Sequence, residues 1–102
     1  MAKKSLETLT ESMFYVLLAL SQGEKCGTEM ADFIQNLTGQ RVKLGPATLY
    51  TILGKFEREH MICETAVEGR KRTYRLTENG NNLLQTEIHR LKLCLEDVRK
   101  VL

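Results

Sequence analysis

Three consecutive cationic side chains, Arg70, Lys71 and Arg72, follow Glu68-Gly69 between two strand-like segments of the chain. Cations at the end of a hairpin have no use in a protein core, whereas guanidinium and ammonium groups bind phosphate oxygens strongly. Placed beside a recognition helix, such a tip would reach the phosphates or the minor groove of a DNA duplex. The sequence therefore predicts that these three residues contact DNA and supply affinity and salt dependence rather than sequence choice.

The stretch LGPATLYTILGKFERE, residues 44–59, predicts a helix over Pro46 to Glu59, because proline suits the first helical turn. Apolar side chains recur on one of its faces, at Leu49, Ile52, Leu53 and Phe56. The opposite face is slim and bears hydroxyl groups, as a helix needs when it enters a major groove. A plain amphipathic helix has the same apolar stripe, so the stripe alone does not distinguish a DNA-binding helix from one without that function. The predicted DNA-contacting residues of this helix are Ala47, Thr48, Tyr50, Thr51 and Lys55.

The positive charge of the chain is concentrated around these two segments. Residues 39–76 contain eight Lys or Arg and four Glu, a balance of +4, while the rest contain seven basic and nine acidic residues, a balance of −2. The net charge of +2 therefore understates the local surplus. A solvated basic face would show the same balance, so charge supports DNA binding without deciding it.

Length and composition indicate one globular domain. The chain has 102 residues, of which 42% are hydrophobic and 27% are charged. The start, MAKK, is followed by polar residues, and the longest apolar stretch, Met13 to Leu20, is too short to span a membrane. We therefore expect a cytoplasmic protein without a secretory signal.

Catalytic and metal-binding chemistry find little support in the sequence. Cys26, Cys63 and Cys94 lack CxxC spacing and are expected to be reduced thiols. Cys26 lies near a helix start, where a thiol can be reactive, but a small buried side chain is the commoner role. His60 and His89 have no partner at metal-ligand spacing, and no Gly-rich phosphate loop or Ser-His-Asp order is present. We expect neither an enzyme nor a cofactor.

The remaining elements must position the two cationic segments. Residues 1–9 are predicted to be a loose basic arm, and RVKL at residues 41–44 could add a small strand. Helices are predicted from Glu11 to Ser21, from Gly27 to Leu37 and from Glu78 to Val101, and Thr10 and Thr77 are expected to cap the first and last of these. The two strands of a hairpin are predicted over residues 62–67 and 70–76. The helix over residues 27–37 and the slim-faced helix over residues 46–59, followed by the hairpin, are typical of a helix-turn-helix variant with a wing.

The last helix carries an apolar seam with the alternating three- and four-residue spacing of a coiled coil. At about 1.5 Å per residue a helix of roughly 24 residues is ~36 Å long, more than this core needs. The surplus should bury against a second copy in a two-fold dimer. The predicted dimerisation residues are Leu84, Ile88, Leu91, Leu95, Val98 and Leu102.

Three segments in this order resemble the PadR-like transcriptional regulators: LTESMFYVLLALSQGEKCGTEM, VKLGPATLYTILGKFEREHMI and GRKRTYRLTENG. The resemblance extends from about Leu9 to the end. Its most specific part is the combination of GPATLY with GRKRTYRLTENG, the segment in which the chain leaves the wing and enters the last helix. Where the family commonly has HGYE and GTLY, this chain has CGTE, from Cys26, and ATLY, from Ala47. The first difference removes an aromatic side chain near a helix start. Some members of the family bind flat aromatic drugs between tryptophans at the dimer centre. This chain has no Trp, so the resemblance does not imply drug binding here.

The resemblance implies a mainly α-helical winged helix-turn-helix domain with a small β-hairpin wing, residues 1–77, joined in one compact unit to a dimerisation helix, residues 78–102. It also implies a homodimeric repressor on a palindromic operator, in which Thr48 and Tyr50 face DNA, Arg72 contacts the backbone and Tyr74 packs. The alternatives are a dimeric protein-interaction module and a thiol-responsive regulator that uses Cys26. A small-molecule effector, of unknown class, would act from a cavity between the first and last helices.

Overall fold

A computed structural model describes residues 9–102 of the chain. Four helices and three strands follow one another as α1 (Glu11–Ser21), β1 (Lys25–Cys26), α2 (Gly27–Leu37), α3 (Pro46–Arg58), β2 (Ile62–Glu68), β3 (Lys71–Leu76) and α4 (Glu78–Val101). Of the predicted arm, residues 1–8, including Lys3-Lys4, lie outside the described part. Its last residue, Leu9, does not belong to an arm, because its side chain is buried in the core.

The helix starts follow from local chemistry. The hydroxyl oxygens of Thr10 and Thr77 accept hydrogen bonds from the Met13 and Gly80 amides, at 3.1 and 3.0 Å, and so cap α1 and α4. Pro46 occupies the first turn of α3, where its missing N–H costs nothing. The predicted helices are therefore confirmed to within a residue at each end.

The sheet differs from the predicted hairpin. It has three antiparallel strands in the order β1-β3-β2, because Lys25 and Cys26 pair with Tyr74 and Thr73 of β3. The strand expected at residues 41–44 is absent, and Val42 is instead held by its amide, which donates to the Thr38 hydroxyl at 3.0 Å. A two-residue strand is too short to show a period, so the sequence could not reveal β1.

The core lies where α1 meets the other helices and the sheet. Val16, Leu17 and Ala19 of α1 are fully buried, as expected for a helix that is apolar on more than one side. The inward stripe of α3 and the Tyr74 ring close the core on the side of α3 and the sheet. The buried residues that the other elements contribute are Met30 and Ile34 from α2, Leu49, Ile52, Leu53 and Phe56 from α3, Ile62 from β2 and Leu84 from α4.

Helix α4 is fastened to the connection between α3 and β2 at its first turn. The Thr77 hydroxyl and amide donate to the carbonyls of His60 and Met61, at 2.7 and 3.0 Å. The Cα of Gly80 lies directly against the Met61 carbonyl, in a position where a Cβ would overlap that oxygen. The orientation of α4 is thereby tied to the end of α3.

The arrangement of α2, α3 and the β2–β3 hairpin is a winged helix-turn-helix, to which the long α4 is appended. Helix α3 exposes one face beside the hairpin, as a recognition helix does beside its wing. Within residues 9–102, none of the helices combines the length and hydropathy that crossing a bilayer would take.

Candidate nucleic-acid interface

The predicted recognition face of α3 is open to solvent. Ala47, Thr48 and Thr51 are exposed, and the Tyr50 side chain is 53% exposed although it is large and aromatic. Lys55 is half-buried one turn further along the helix. The Thr51 hydroxyl donates to the Ala47 carbonyl at 2.9 Å, which leaves its oxygen free to accept. The structure thus presents these side chains together, and their contact with DNA stays a prediction.

The wing ends in a tight two-residue turn at Gly69-Arg70, because Glu68 and Lys71 are paired across the strands. Gly69 takes a φ of 63°, which glycine adopts without strain. Arg70, Lys71 and Arg72 are all exposed. The turn therefore holds three cations at the end of a short, paired ribbon.

A cleft of about 360 Å³ joins the wing tip to α3 and to the start of α2. Its lining combines the three cations of the wing tip, the Tyr50 ring and the first turn of α2, which includes the Glu29 carboxylate. The arrangement can hold an extended anionic chain, since cations and a hydroxyl-bearing ring face a single groove. The residues that line it are Cys26, Gly27, Thr28, Glu29, Tyr50, Arg70, Lys71 and Arg72.

Arg72 has an internal partner that sequence reasoning missed. Its Nε lies 2.6 Å from a carboxylate oxygen of Glu64 on β2, and this carboxylate is the main reason why the pKa of Arg72 is raised. The Glu64 side chain is 26% exposed and that of Arg72 is 54% exposed, so the pair is partly shielded from solvent. Arg72 therefore braces the two wing strands, in addition to any contact with a ligand. The sequence carries no signal for this pair, because the register set by the Gly69-Arg70 turn would place Glu64 opposite Arg75. Only the irregularity in β2 sets Glu64 opposite Tyr74, on the strand face that carries Arg72.

The wing is also tied to the start of α2. The Thr65 hydroxyl, at an irregularity in β2, donates to a carboxylate oxygen of Glu24 at 3.0 Å. The Glu29 carboxylate accepts the Cys26 amide at 2.8 Å, and this bond is the largest cause of a lowered Glu29 pKa, to which nearby Lys71 adds. The first contact joins β2 to the segment before β1, and the second caps the first turn of α2, which lines the cleft.

The cysteines and histidines do not form a reactive centre in this structure. Cys26 is buried, with its Sγ 3.3 Å from the Thr28 hydroxyl, whereas Cys63 is half-buried and Cys94 is exposed. All three are free thiols. Among residues 9–102, no three His, Cys, Asp or Glu side chains come close enough together to hold a metal ion.

The predicted seam on α4 divides into two parts. Leu84 is 1% exposed and packs in the core of its own protomer, and Ile88 packs against the edge of that core. Leu84 is therefore not available on the surface that a second copy would meet. Beyond them the seam is open, with Leu91 at 39%, Leu95 at 53%, Val98 at 48% and Leu102 at 97% exposure.

A recess lies between α1 and α4, where the sequence led us to expect a cavity. It has a volume of about 360 Å³ and is walled by Phe14, Tyr15 and Leu91. The carboxylate of Glu87 is almost completely buried at its edge and is bound by both Nε and Nη2 of Arg90, at 3.0 and 2.6 Å. The recess adjoins the exposed part of the seam.

Comparison with known proteins identifies the architecture and the family. A transcriptional regulator from Clostridium thermocellum superimposes with a TM-score of 0.77 at 23% identity, over 88% of this chain and 91% of the other. Bacillus subtilis PadR in complex with operator DNA gives a TM-score of 0.68 at 23% identity, over 78% of this chain. This chain covers 48% of that PadR chain.

A relative by sequence comes from Streptomyces fradiae, an uncharacterized 37.1 kDa protein in transposon TN4556. The two are 33% identical over 79 residues, which make up 78% of this chain and 22% of the relative, so the chain spans about a fifth of that protein. Residues 16–86 match the transcriptional regulator PadR-like family, and this span contains α2, α3, the wing and the first part of α4. The chain belongs to the PadR-like family of transcriptional regulators.

Proposed function

We propose that this chain is a repressor that binds a palindromic DNA operator as a homodimer. The observation that supports it most is the cleft in which Tyr50 of α3 faces the cations of the wing tip. Helix α3 would enter the major groove with Thr48, Tyr50 and Thr51, while Arg70 and Lys71 would bind phosphates on the flanking backbone. Ala47 is small enough to allow close approach, and Lys55 would reach the backbone from the next turn.

Arg72 has a double role in this proposal. Its guanidinium has five N–H donors and only part of them face Glu64, so it can bind a phosphate while it braces the wing. Arg70 and Lys71, at the turn itself, would carry most of the electrostatic contact. Because such contacts release counterions, binding should weaken steeply as salt is raised.

The homodimer is supported by the open end of α4. Leu91, Leu95, Val98 and Leu102 follow one another on a single face and all are exposed. A row of large apolar side chains on a soluble helix is the pattern of a coiled-coil contact with a second copy. Two protomers joined there would present two α3 helices to half-sites about one helical turn, ~34 Å, or a multiple of it apart.

Relatives support the regulatory role. The chain belongs to a family of transcriptional regulators, and Bacillus subtilis PadR, which shares its fold, binds operator DNA. We extend DNA binding to this chain because its own α3 and wing carry the required groups. Any small-molecule effector would act from the recess between α1 and α4, where it could change the angle between protomers.

A protein-interaction module is the second candidate, because the exposed apolar seam would serve it equally well. That candidate leaves the cations of the wing tip without a role. The two differ in their response to salt, since a hydrophobic interface does not weaken steeply with ionic strength. A thiol-responsive regulator is less favoured, because Cys26 is 5% exposed.

The test is a fluorescence titration of the protein against a labelled duplex from the region upstream of its own gene, at low and moderate salt. Changing Arg70, Lys71 and Arg72 together to Ala should weaken binding at low salt by about a hundredfold or more and flatten the salt dependence by about three charges. For a matched pair of single changes, Arg70→Ala is compared with Lys100→Ala, which also removes one positive charge but lies on the side of α4 away from the apolar seam. The proposed interface would be rejected if the control also lost binding. It would likewise be rejected if the affinity for DNA changed neither with salt nor with the wing substitutions.

A further inference from the structure

Gly27, the first residue of α2, is a glycine for which the backbone gives no reason. The glycines with positive φ are Gly23, Gly39 and Gly69, so Gly27 has a backbone conformation that any residue adopts. Glycine is also a poorer helix former than alanine. The explanation must therefore come from the space around its Cα.

That space is taken by the DNA-facing tyrosine of α3. A Cβ added at Gly27 would lie 3.2 Å from the Tyr50 hydroxyl oxygen, 3.4 Å from a methyl carbon of buried Leu49 and 3.5 Å from the ring carbon that bears the hydroxyl. Only the distance to the hydroxyl oxygen is shorter than an ordinary van der Waals contact. The end of the Tyr50 side chain thus rests on the bare backbone of the first turn of α2.

This contact fixes a side chain that would otherwise be free to rotate. Tyr50 is 53% exposed and its Cα is held by α3, so its ring has one fixed end unless a second contact restrains the other. With the hydroxyl end on Gly27, the ring stands as a partition. On one side is the cationic cleft, and on the other is a small apolar recess of about 80 Å³ beside Ala31, Leu44 and Pro46.

We propose that Gly27 is a positioning residue for DNA recognition: its missing side chain holds the Tyr50 ring upright between α2 and the wing. The inference rests on the proposed function and names a residue outside the recognition helix on which base selection depends. A methyl group at position 27 would push the phenol outward by a few tenths of an ångström. Because Tyr50 is half exposed it can swing away, so the fold should tolerate the change while the partition is lost.

The test compares wild type, Gly27→Ala, Tyr50→Phe and the double variant. Two labelled probes are used: a duplex that the wild type selects from a random-sequence pool, and an unrelated duplex of equal length. Gly27→Ala should lower affinity for the selected duplex by about five- to tenfold and leave affinity for the unrelated duplex within about twofold. The Tm should stay the same or rise, because alanine favours helix.

The double variant separates positioning from general damage. Tyr50→Phe removes the oxygen at 3.2 Å, and the nearest remaining ring atom is at an ordinary distance. Gly27→Ala should therefore have no further effect in the Tyr50→Phe background. Without DNA, Gly27→Ala should move the NMR resonances of the Tyr50 ring and leave those of buried Tyr74 in place.

Three results would overturn the inference: a Gly27→Ala variant that selects DNA as the wild type does, an equal loss in the Tyr50→Phe background, or an unmoved Tyr50 ring. Each of them leaves wild-type DNA binding intact, so the proposed function would survive. A wild-type protein that selects no duplex from the pool would instead reject both.

Discussion

The two halves of α4 share one sequence pattern and have different surroundings. The first half begins with Gly80 against the Met61 carbonyl and continues with Leu84, which is 1% exposed in the protomer core. From Leu91 to the end, every residue is exposed, although the same three- and four-residue apolar spacing continues. An apolar seam is therefore not evidence of a single contact: its first turns complete the fold of the protomer, and its later turns are exposed.

The strongest expected effect is at the fastened end of α4. Gly80→Ala places a Cβ inside the Met61 carbonyl, and neither the helix nor the α3–β2 connection can move without breaking the bonds of Thr77. We expect a loss of about 4 kcal/mol or more in the free energy of unfolding, measured by urea denaturation. Gly54→Ala is the control, since its Cβ meets only the flexible end of Arg58, and it should raise stability by about 0.5–1 kcal/mol. Equal effects of the two changes would contradict the fastening.

One substitution placed in each half tests the comparison itself. Leu84→Ala should cost about 2–5 kcal/mol of unfolding free energy at every protein concentration, because it leaves a cavity in the core. Leu95→Ala removes the same group from an exposed site and should act only through association. Its effect on the urea midpoint should therefore vanish as the protein is diluted. A concentration-independent loss for Leu95→Ala would show that the outer half is also part of the protomer fold.

Charge placed on the open seam should separate the protomers without unfolding them. Leu91→Lys together with Leu95→Lys should raise the dimer dissociation constant by about a hundredfold or more, because two apolar contacts per protomer become buried charges. Sedimentation velocity measures the change, and far-UV circular dichroism should stay unchanged. Leu93→Lys, on the opposite face of α4, is the control. A double variant that still sediments as a dimer would refute the seam assignment.

Local chemistry made most of the fold predictable. Thr10, Thr77 and Pro46 mark helix starts with their own side chains, so the bounds of α1, α3 and α4 could be predicted from the sequence. Two of the failures, at β1 and at Leu9, involve segments without a local signal. The strand β1 exists only because β3 offers a free edge, and Leu9 is buried only because of how α1 is placed.

The candidate site was predictable in its parts and not in its assembly. Exposed hydroxyl groups on α3 and cations at the wing tip follow from periodicity and turn chemistry. Their meeting in one cleft depends on how far α2 lies from the wing, which no spacing in the sequence encodes. For the same reason Glu64 could not be assigned as the partner of Arg72, nor Gly27 as the support of Tyr50, before the elements were packed.

Hydroxyl-radical footprinting on the selected duplex tests most directly whether two protomers joined by the outer half of α4 read two half-sites. The wild type should protect two equivalent windows whose centres are about one helical turn, or a whole multiple of it, apart. The Leu91→Lys and Leu95→Lys double variant should protect them only weakly and independently of each other. A single window for the wild type, or two windows of undiminished strength for the double variant, would contradict the account.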